Sequence, residues 1–381
     1  MRLLRTASTP RLLTLLAVTV ALVLSAGFAQ AALDGSDPKP EPKPLDRAIQ
    51  DAVNAPAVAG VSARITFTNG LLPTGSLPSG GASPLAAGAE GRLWLAGDGR
   101  LRLELQSEAG DAQIVAGDDR LTIYDSASET AYVLPIEQRP AERDDEPASL
   151  ADVRRGLDRL ATAWSLSGAQ PTSTAGRPTY TVRIAPKDDG GLLGAAELAW
   201  DAVNGVPLRA AVYAQGQDEP VLELAADDVS YGEIEGSTFE AERPAGTRIV
   251  EVDPVTTDAH GKPTRVRGVE AVQRELGFEL SAPADLAGLP RTSVRLVNVG
   301  GEPGAVSVYG EGMGAIVVLQ HEAGPEPESE FELPQVNIDG ATGTELATPL
   351  GTVVTFRRDG VAYVVLGSVP PVAAENAARG L

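Results

Sequence analysis

The two histidines, His260 and His321, are the first candidates in this sequence for a general base or a zinc ligand. They lie in different stretches of the chain, and neither has a second histidine at ligand spacing. A zinc site usually needs at least three protein ligands, and a serine triad needs a histidine held beside a carboxylate and a nucleophile. The sequence also lacks the G-x-S-x-G turn that presents a nucleophilic serine. We therefore predict no catalytic residue, no metal site and no enzymatic activity.

The glycines of YGEGMGA (309–315) are spaced like part of a nucleotide-binding loop. Such a loop follows a strand and opens a helix, so that the helix N-terminus meets a phosphate. The next residues here, AIVVLQ, are rich in β-branched side chains and favour a strand instead. The motif is therefore interpreted as a hairpin turn, and no cofactor is predicted.

Charge and cysteine content exclude further classes of function. The 381-residue chain has 52 acidic and 31 basic side chains, a formal net charge of −21. Nucleic-acid binding needs clustered lysine and arginine, so no nucleic-acid partner is expected. The chain has no cysteine, which excludes disulfides, thiolate nucleophiles and lipid attachment at a cysteine.

The N-terminus has the three parts of a secretory signal peptide. Arg2, Arg5 and Arg11 precede an apolar run at 12–28, and a small-x-small site ends at Ala31. We predict cleavage after Ala31 and export to the periplasm, the extracytoplasmic cell envelope or the medium of a bacterial cell. An uncleaved membrane anchor is the alternative that the length of the apolar run leaves open.

Most of the remaining chain alternates apolar and polar residues with period two, which is typical of strands with one buried face. Examples are VSARITFT (61–68) and RLRLELQ (100–106), and turn residues such as Asn204-Gly205 separate neighbouring runs. The pattern predicts a mainly β, α+β protein built on an antiparallel meander. Periodicity alone allows either a closed core or an open half-barrel with an apolar cavity.

Three segments of the N-terminal unit could cover an apolar sheet face. A short helix is predicted to begin at Leu45, and another is predicted over 147–164 with Ser149 as its cap. Between the first strands, residues 69–88 form a long loop that is rich in Gly, Pro and Ser but contains several leucines. A loop of that length is usually either functional or disordered.

Six motifs in order resemble the periplasmic lipoprotein carriers of the LolA type. They are the helix leading into SARITFTNG (62–70), then EGRLWL (90–95), VAGDDRLTIYDSASETAYVLP (115–135), YTVRIAPKD (180–188), the ELAWDAVNGVPLR hairpin (197–209) and STFEAERPAGTRIVEV (237–252). The resemblance implies an unclosed, curved antiparallel half-barrel lidded by helices, followed here by a small antiparallel β or α+β domain. It also implies an apolar cavity that shelters the acyl chains of lipids or lipoproteins.

The resulting domain prediction covers the whole chain. It comprises a signal peptide (1–31), a proline-rich spacer (32–44), a LolA-like lipid-binding domain (45–252), a linker (253–267), a small C-terminal domain (268–372) and a frayed tail (373–381).

Two groups of apolar residues are predicted to form the binding site. The candidate cavity wall consists of Ile65, Phe67, Leu93, Leu95, Leu101, Leu103, Leu105, Val182, Ile184, Leu198, Trp200 and Val212. The candidate lid consists of Leu71, Leu72, Leu77, Leu150, Val153 and Leu157.

Two hypotheses follow from the resemblance. The first is a non-catalytic carrier that transports lipids or lipoproteins across the cell envelope. The second is suggested by the additional C-terminal unit, because the periplasmic regulators of envelope-stress sigma factors (RseB type) also combine a LolA-like domain with a small second domain. In that case the C-terminal unit would bind a membrane-anchored anti-sigma factor. A hydrolase has the least support, since no acid, base and nucleophile are arranged together.

Overall fold

A computed structural model describes most of the chain from residue 38 onwards. The described residues are 38–72, 83–108, 110–117, 119–126, 128–136, 149–187, 191–240, 244, 246–251, 266–299, 302–324 and 333–381. The predicted signal peptide, Leu77 and His260 lie outside these ranges. The chain divides into a first unit (1–72, 79–187 and 194–252) and a second unit (73–78, 188–193 and 253–381).

The first unit is built on one long sheet. Its strands are β1 (Gly60–Asn69), β2 (Ala89–Ala96), β3 (Leu101–Ser107), β4 (Gly110–Ala116), β5 (Arg120–Asp125), β6 (Thr130–Pro135), β7 (Trp164–Leu166), β8 (Gln170–Thr174), β9 (Arg177–Pro186), β10 (Leu193–Asp201), β11 (Pro207–Ala214), β12 (Pro220–Tyr231) and β13 (Arg248–Glu251). Its helices are α1 (Leu45–Val53), α2 (Pro84–Ala87) and α3 (Leu150–Ala163).

The strand order shows how the sheet is assembled. Within the described residues it runs β13-β6-β5-β4-β3-β2-β1-β12-β11-β10-β9-β7, with β8 also paired to β9. Neighbours are antiparallel except β13, which pairs in parallel with β6. The sheet curls into a half-barrel, as predicted.

Gly91 on β2 shows one local cause of this curvature. A Cβ atom at this position would lie 2.1 Å from the carbonyl oxygen of Glu104 on β3. Only glycine allows two backbones to approach this closely, and strand glycines commonly mark such bends. A register shift between Arg64 and Ile65, where β1 pairs with β12, adds a second irregularity.

In its described residues, the second unit contains an antiparallel sheet and two α-helices. Its strands are β14 (Asp285–Leu286), β15 (Leu289–Val299), β16 (Glu302–Tyr309), β17 (Ile316–Glu322), β18 (Gln335–Ile338), β19 (Ala341–Thr348), β20 (Gly351–Arg358) and β21 (Val361–Gly367), and its helices are α4 (Val269–Gln273) and α5 (Pro371–Arg379). The sheet order in the described residues is β14-β15-β16-β17-β21-β20-β19-β18. Residues 310–315 of YGEGMGA connect β16 to β17, as the hairpin interpretation predicted.

The predicted frayed tail is wrong. Residues 371–379 form α5, which packs against β18, β20 and β21. Ala374, Ala377 and Ala378 are fully buried and belong to the core of the second unit. An alanine-rich segment reads as weakly apolar, but small side chains let a helix lie close to a sheet, and this contact stabilises the chain end.

Candidate functional site

The apolar side of the first sheet is the candidate site, and it is called the inner face here. It carries a continuous cross-strand row, the inner row, in which register pairs place one residue from each of six strands side by side. The inner row consists of Ala63, Leu93, Leu103, Ile114, Ile123 and Tyr132.

Exposure is greatest at the β6 end of the inner row. Leu103, on β3, is 1% exposed and packs in a core with Ile65 and Phe67. Leu93, Ile114 and Ile123 are half-buried, and Tyr132 on β6 is 40% exposed. The inner row is therefore buried at β1 and β3, half-buried at β2, β4 and β5, and exposed at β6.

A second inner-face row, half-buried along its length, lies beside the first. Leu95 pairs with Leu101, Ala116 with Leu121, and Leu121 with Leu134. The large apolar residues of both rows on β4 to β6 are called the open end, which consists of Ile114, Leu121, Ile123, Tyr132 and Leu134.

Helix α1 seals the other side of the inner face. Ala48 on α1 is 1% exposed and packs against Tyr180, Val182 and Trp200. The Tyr180 hydroxyl donates a hydrogen bond of 2.6 Å to the carbonyl oxygen of Glu41, just before the helix. This half of the inner face is filled by protein side chains.

The turn between β10 and β11 packs against the C-terminal end of α1. Gly205 has φ +74°, and a Cβ there would lie 2.4 Å from the carbonyl oxygen of Ala52. Asp201, which is fully buried, accepts hydrogen bonds from Arg177, Tyr231 and the Val203 backbone. Burial works to raise the pKa of Asp201, but these hydrogen bonds outweigh it and hold the pKa below its ordinary value.

Helix α3 is packed more loosely than α1. Ser149 and Asp152 form a capping box at its N-terminus, which confirms Ser149 as the cap. Its apolar stripe, which includes Leu150, Val153 and Leu157, is half-buried, and no side chain of α3 is fully buried. Its contacts are with α1 and β7. Elements with few buried contacts open at low cost, as a movable cover must.

The predicted loop cover is partly described. Leu71 and Leu72 are half-buried, and Leu77 lies outside the described residues. At the end of the loop, α2 contacts β1, β3 and β4, and Leu85 packs against the core that contains Leu103. The part of this loop that packs on the inner face is thus α2, which the sequence analysis did not recognise as a helix.

The structure places ten of the twelve predicted wall residues in two separate cores. One contains Ile65, Phe67, Leu93, Leu101, Leu103 and Leu105. The other contains Val182, Ile184, Leu198 and Trp200 beneath α1. Leu95 is half-buried and Val212 is buried. Their role in ligand binding remains a prediction. The open end, whose Tyr132 is exposed, consists of residues that the sequence analysis did not select.

A signal for the open end was present in the sequence. The runs AQIVAG, RLTIYD and TAYVLP alternate as clearly as the strands that were selected. Their exposure could not be read from alternation, because period two identifies a face without showing what covers it.

The opposite face of β9 to β12 carries a network of charged side chains. Glu197 pairs with Arg183 and Arg209 at 2.9 Å each, and Arg209 also pairs with Glu223. The Tyr213 hydroxyl donates a hydrogen bond of 2.8 Å to Glu197. Burial works to raise the pKa of Glu197, but these partners outweigh it and lower the pKa. Since each charge has partners here, the network is structural.

The described residues contain no cluster of three or more acidic, histidine or cysteine side chains that could hold a metal ion. His321 contacts the carbonyl oxygen of its neighbour Glu322 at 2.8 Å. In the described part of the chain, no helix has the length and apolarity needed to cross a membrane.

Comparisons with known proteins found similar solved structures. No family model and no curated protein matches the sequence significantly. The fold resembles LolA-superfamily and MucB structures. MucB in complex with periplasmic MucA matches with 15% identity and a TM-score of 0.43, covering 88% of this chain and 95% of that one.

Two further matches have lower scores. A putative outer membrane lipoprotein-sorting protein domain from Vibrio parahaemolyticus has 10% identity and a TM-score of 0.23, covering 51% of this chain and 95% of its own. A LolA superfamily protein from Nitrosomonas europaea has 10% identity and a TM-score of 0.18, covering 85% and 90%. At these identities and TM-scores, the matches carry no conclusion about the family or function of this chain.

Proposed function

We propose that this chain is an exported, non-catalytic carrier that shelters acyl chains on the inner face of its first sheet. The observation that supports the proposal best is the inner row, which continues from a fully buried core at Leu103 to the accessible side chains of Ile123 and Tyr132. Exposed contiguous apolar surface of this kind marks a binding surface in soluble proteins.

The energetics suit an acyl chain. Each buried CH2 group contributes about 0.8 kcal/mol, so a chain laid along the open end gains several kcal/mol without any polar contact. The open end presents aliphatic side chains and one tyrosine hydroxyl, a lining suited to binding rather than to proton transfer. Helix α3 contacts α1 and β7 in the structure, so the proposal requires it to move in order to cover a chain bound at the open end.

The proposal is tested by native lipid analysis and by direct binding. Mass spectrometry of protein purified without detergent from its host should find bound lipid, and a fluorescent fatty acid should bind the delipidated protein. Ile123→Asn should weaken that binding at least about tenfold, because a buried isoleucine contributes roughly 1.5–3 kcal/mol. Tyr124→Asn, one residue along β5 on the opposite face, is the matched control and should change binding little.

A second candidate function concerns the second unit. On one side of its sheet Val318, Val354 and Val365 are fully buried. On the other side, which we call the outward face, Leu366 is 38% exposed. The outward face carries a half-exposed cross-strand row consisting of Val308, Val317, Leu366, Val353 and Leu346.

This apolar row favours a protein partner, and we propose that it receives an apolar segment of a membrane-anchored protein. The full chain should capture one membrane protein from host envelopes, and photo-crosslinks should map to the outward face. Leu366→Lys should abolish capture, whereas Val372→Lys, at an exposed position on α5, should retain it. Equal capture by both variants would exclude the outward face as the interface.

A further inference from the structure

A cation lies at the edge of the open end. Strand β13 pairs in parallel with β6, with Arg248 beside Thr130 and Val250 beside Tyr132. Paired residues of neighbouring strands project from the same face of a sheet. Val250 therefore extends the inner row by one strand, and Arg248 extends the next inner-face row, in which Thr130 pairs with Asp125.

The Arg248 side chain is held in place but keeps its charge available. Its Nε and Nη2 atoms donate hydrogen bonds of 3.3 and 3.1 Å to the Thr130 hydroxyl oxygen. Thr130 is fully buried, and its own hydroxyl donates to the carbonyl oxygen of Ser128 at 2.9 Å. Among the ion pairs of the described residues none involves Arg248, and the residue is exposed. A guanidinium has five N–H donors, so a neutral hydroxyl leaves both charge and donors for a ligand.

The arrangement combines an apolar track with a cationic end. From Ile114 on β4 to Val250 on β13 the inner row crosses three strand spacings, roughly 14 Å at about 4.8 Å per strand. A medium-length acyl chain lying along it would bring its polar end to the sheet edge beside Arg248. The chain has a net charge of −21, so its surface as a whole does not attract anions. Attraction of an anion by Arg248 would therefore be local to this sheet edge.

We infer that the inner face takes anionic amphiphiles and that Arg248 binds their headgroup. This inference rests on the proposed carrier function and adds the class of its ligand. The planar fork of arginine matches both carboxylate and phosphate oxygens, so either anion fits the site. Arg248 is thus a specificity-determining residue, and the open end supplies the affinity that all amphiphiles share.

The test compares three ligands that share a twelve-carbon chain. Dodecanoate, dodecyl phosphate and uncharged dodecanol are titrated, below their micellar concentrations, into the full delipidated chain by displacement of an uncharged fluorescent probe. The unchanged protein should bind one or both anions more tightly than dodecanol, and the tighter anion names the headgroup. Arg248→Gln should weaken anion binding about fivefold, the upper end of what an exposed ion pair contributes, and leave dodecanol unchanged. The anion preference should also shrink at high salt.

The control variant is Arg92→Gln. Arg92 is also exposed. It lies on β2 next to Leu93 of the inner row, so its side chain projects from the opposite face of the same sheet. It should leave all three affinities unchanged, and Arg248→Lys should retain part of the preference. Equal binding of all three ligands by the unchanged protein, or an equal loss for anions and dodecanol in Arg248→Gln, would overturn the inference alone. Failure to bind any of the three would overturn the carrier proposal itself.

Discussion

The two sheets of this protein leave apolar surface accessible in different ways. In the first sheet the backbone curls, helices lie on the inner face, and the accessible residues form one end of a row that begins in the core. In the second, α5 covers one face through three buried alanines, while the outward face has a row that is half-exposed along its length. The proposed functions follow this difference, with lipid on the first sheet and a protein partner on the second.

The largest predicted effect tests whether the core beneath α5 belongs to the second unit alone. Ala377→Asp places a charge at a position with 0% exposure and should cost about 4 kcal/mol or more. Val372→Asp, on the same helix at 63% exposure, should cost little. Hydrogen exchange should show loss of protection in β18 to β21 for the first variant only. Equal loss of protection in β1 to β12 would contradict the separation into two units.

The next effect tests how firmly α1 closes the inner face. Gly205→Ala and Gly216→Ala both place alanine at a positive φ, +74° and +73°. Each should lose about 1 kcal/mol for that reason. Gly216 has nothing within 4 Å of the added Cβ, whereas Gly205 meets the Ala52 carbonyl, so Gly205→Ala should lose roughly 2 kcal/mol more. Chemical unfolding followed by tryptophan fluorescence measures both, since Trp94, Trp164 and Trp200 all lie in the first unit. Equal losses would mean that the turn does not support α1.

Acid should affect the two units in opposite directions. Asp201 and Glu197 in the first unit have lowered pKa values. Their contribution to the free energy of unfolding is therefore present above the unfolded-state pKa values of about 4 and is lost as pH falls through the folded-state pKa values. In the second unit, burial and the nearby charge of Glu375 raise the pKa of Glu345. Its contribution is therefore lost as pH rises from about 4 through the folded-state value.

The measurement is unit-resolved hydrogen exchange between pH 3 and 7, corrected for intrinsic rates. Glu345→Gln should stabilise the second unit at neutral pH and remove its share of the pH dependence. If the variant leaves the profile of the second unit unchanged, Glu345 does not set it.

The smallest effect concerns α3 as a movable cover. Arg154 of α3 forms an ion pair of 2.7 Å with Asp46 of α1, and this ion pair links the two helices. Arg154→Ala should leave unfolding almost unchanged, because exposed ion pairs contribute little, but should speed fatty-acid release severalfold. Arg155→Ala, whose ion pair with Asp152 lies within α3, should not alter release. Stopped-flow displacement of a fluorescent fatty acid compares the two variants.

The sequence predicted the strands well because period-two alternation reports a buried face directly. It predicted α1 and the cap of α3 from apolar spacing and Ser149, and both are observed. It could not predict α5, since alanines such as Ala377 become core residues only when a sheet lies close enough to bury them.

The site was harder to predict for a related reason. Leu103 and Ile123 have the same sequence signature, yet one is fully buried and the other lies at the open end. Arg248 has no local motif at all. Its position beside Tyr132 depends on β13 returning to pair with β6 across more than a hundred residues of chain, and pairings of that kind are not encoded in local periodicity.

The most direct test of the account is fatty-acid binding by the delipidated protein, with Ile123→Asn and Tyr124→Asn measured side by side. The account predicts saturable binding that Ile123→Asn weakens about tenfold or more and Tyr124→Asn leaves nearly intact, with both variants folded by tryptophan fluorescence. Absence of saturable binding in the unchanged protein, or equal weakening by the two variants, would contradict the claim that the open end of the inner face holds acyl chains.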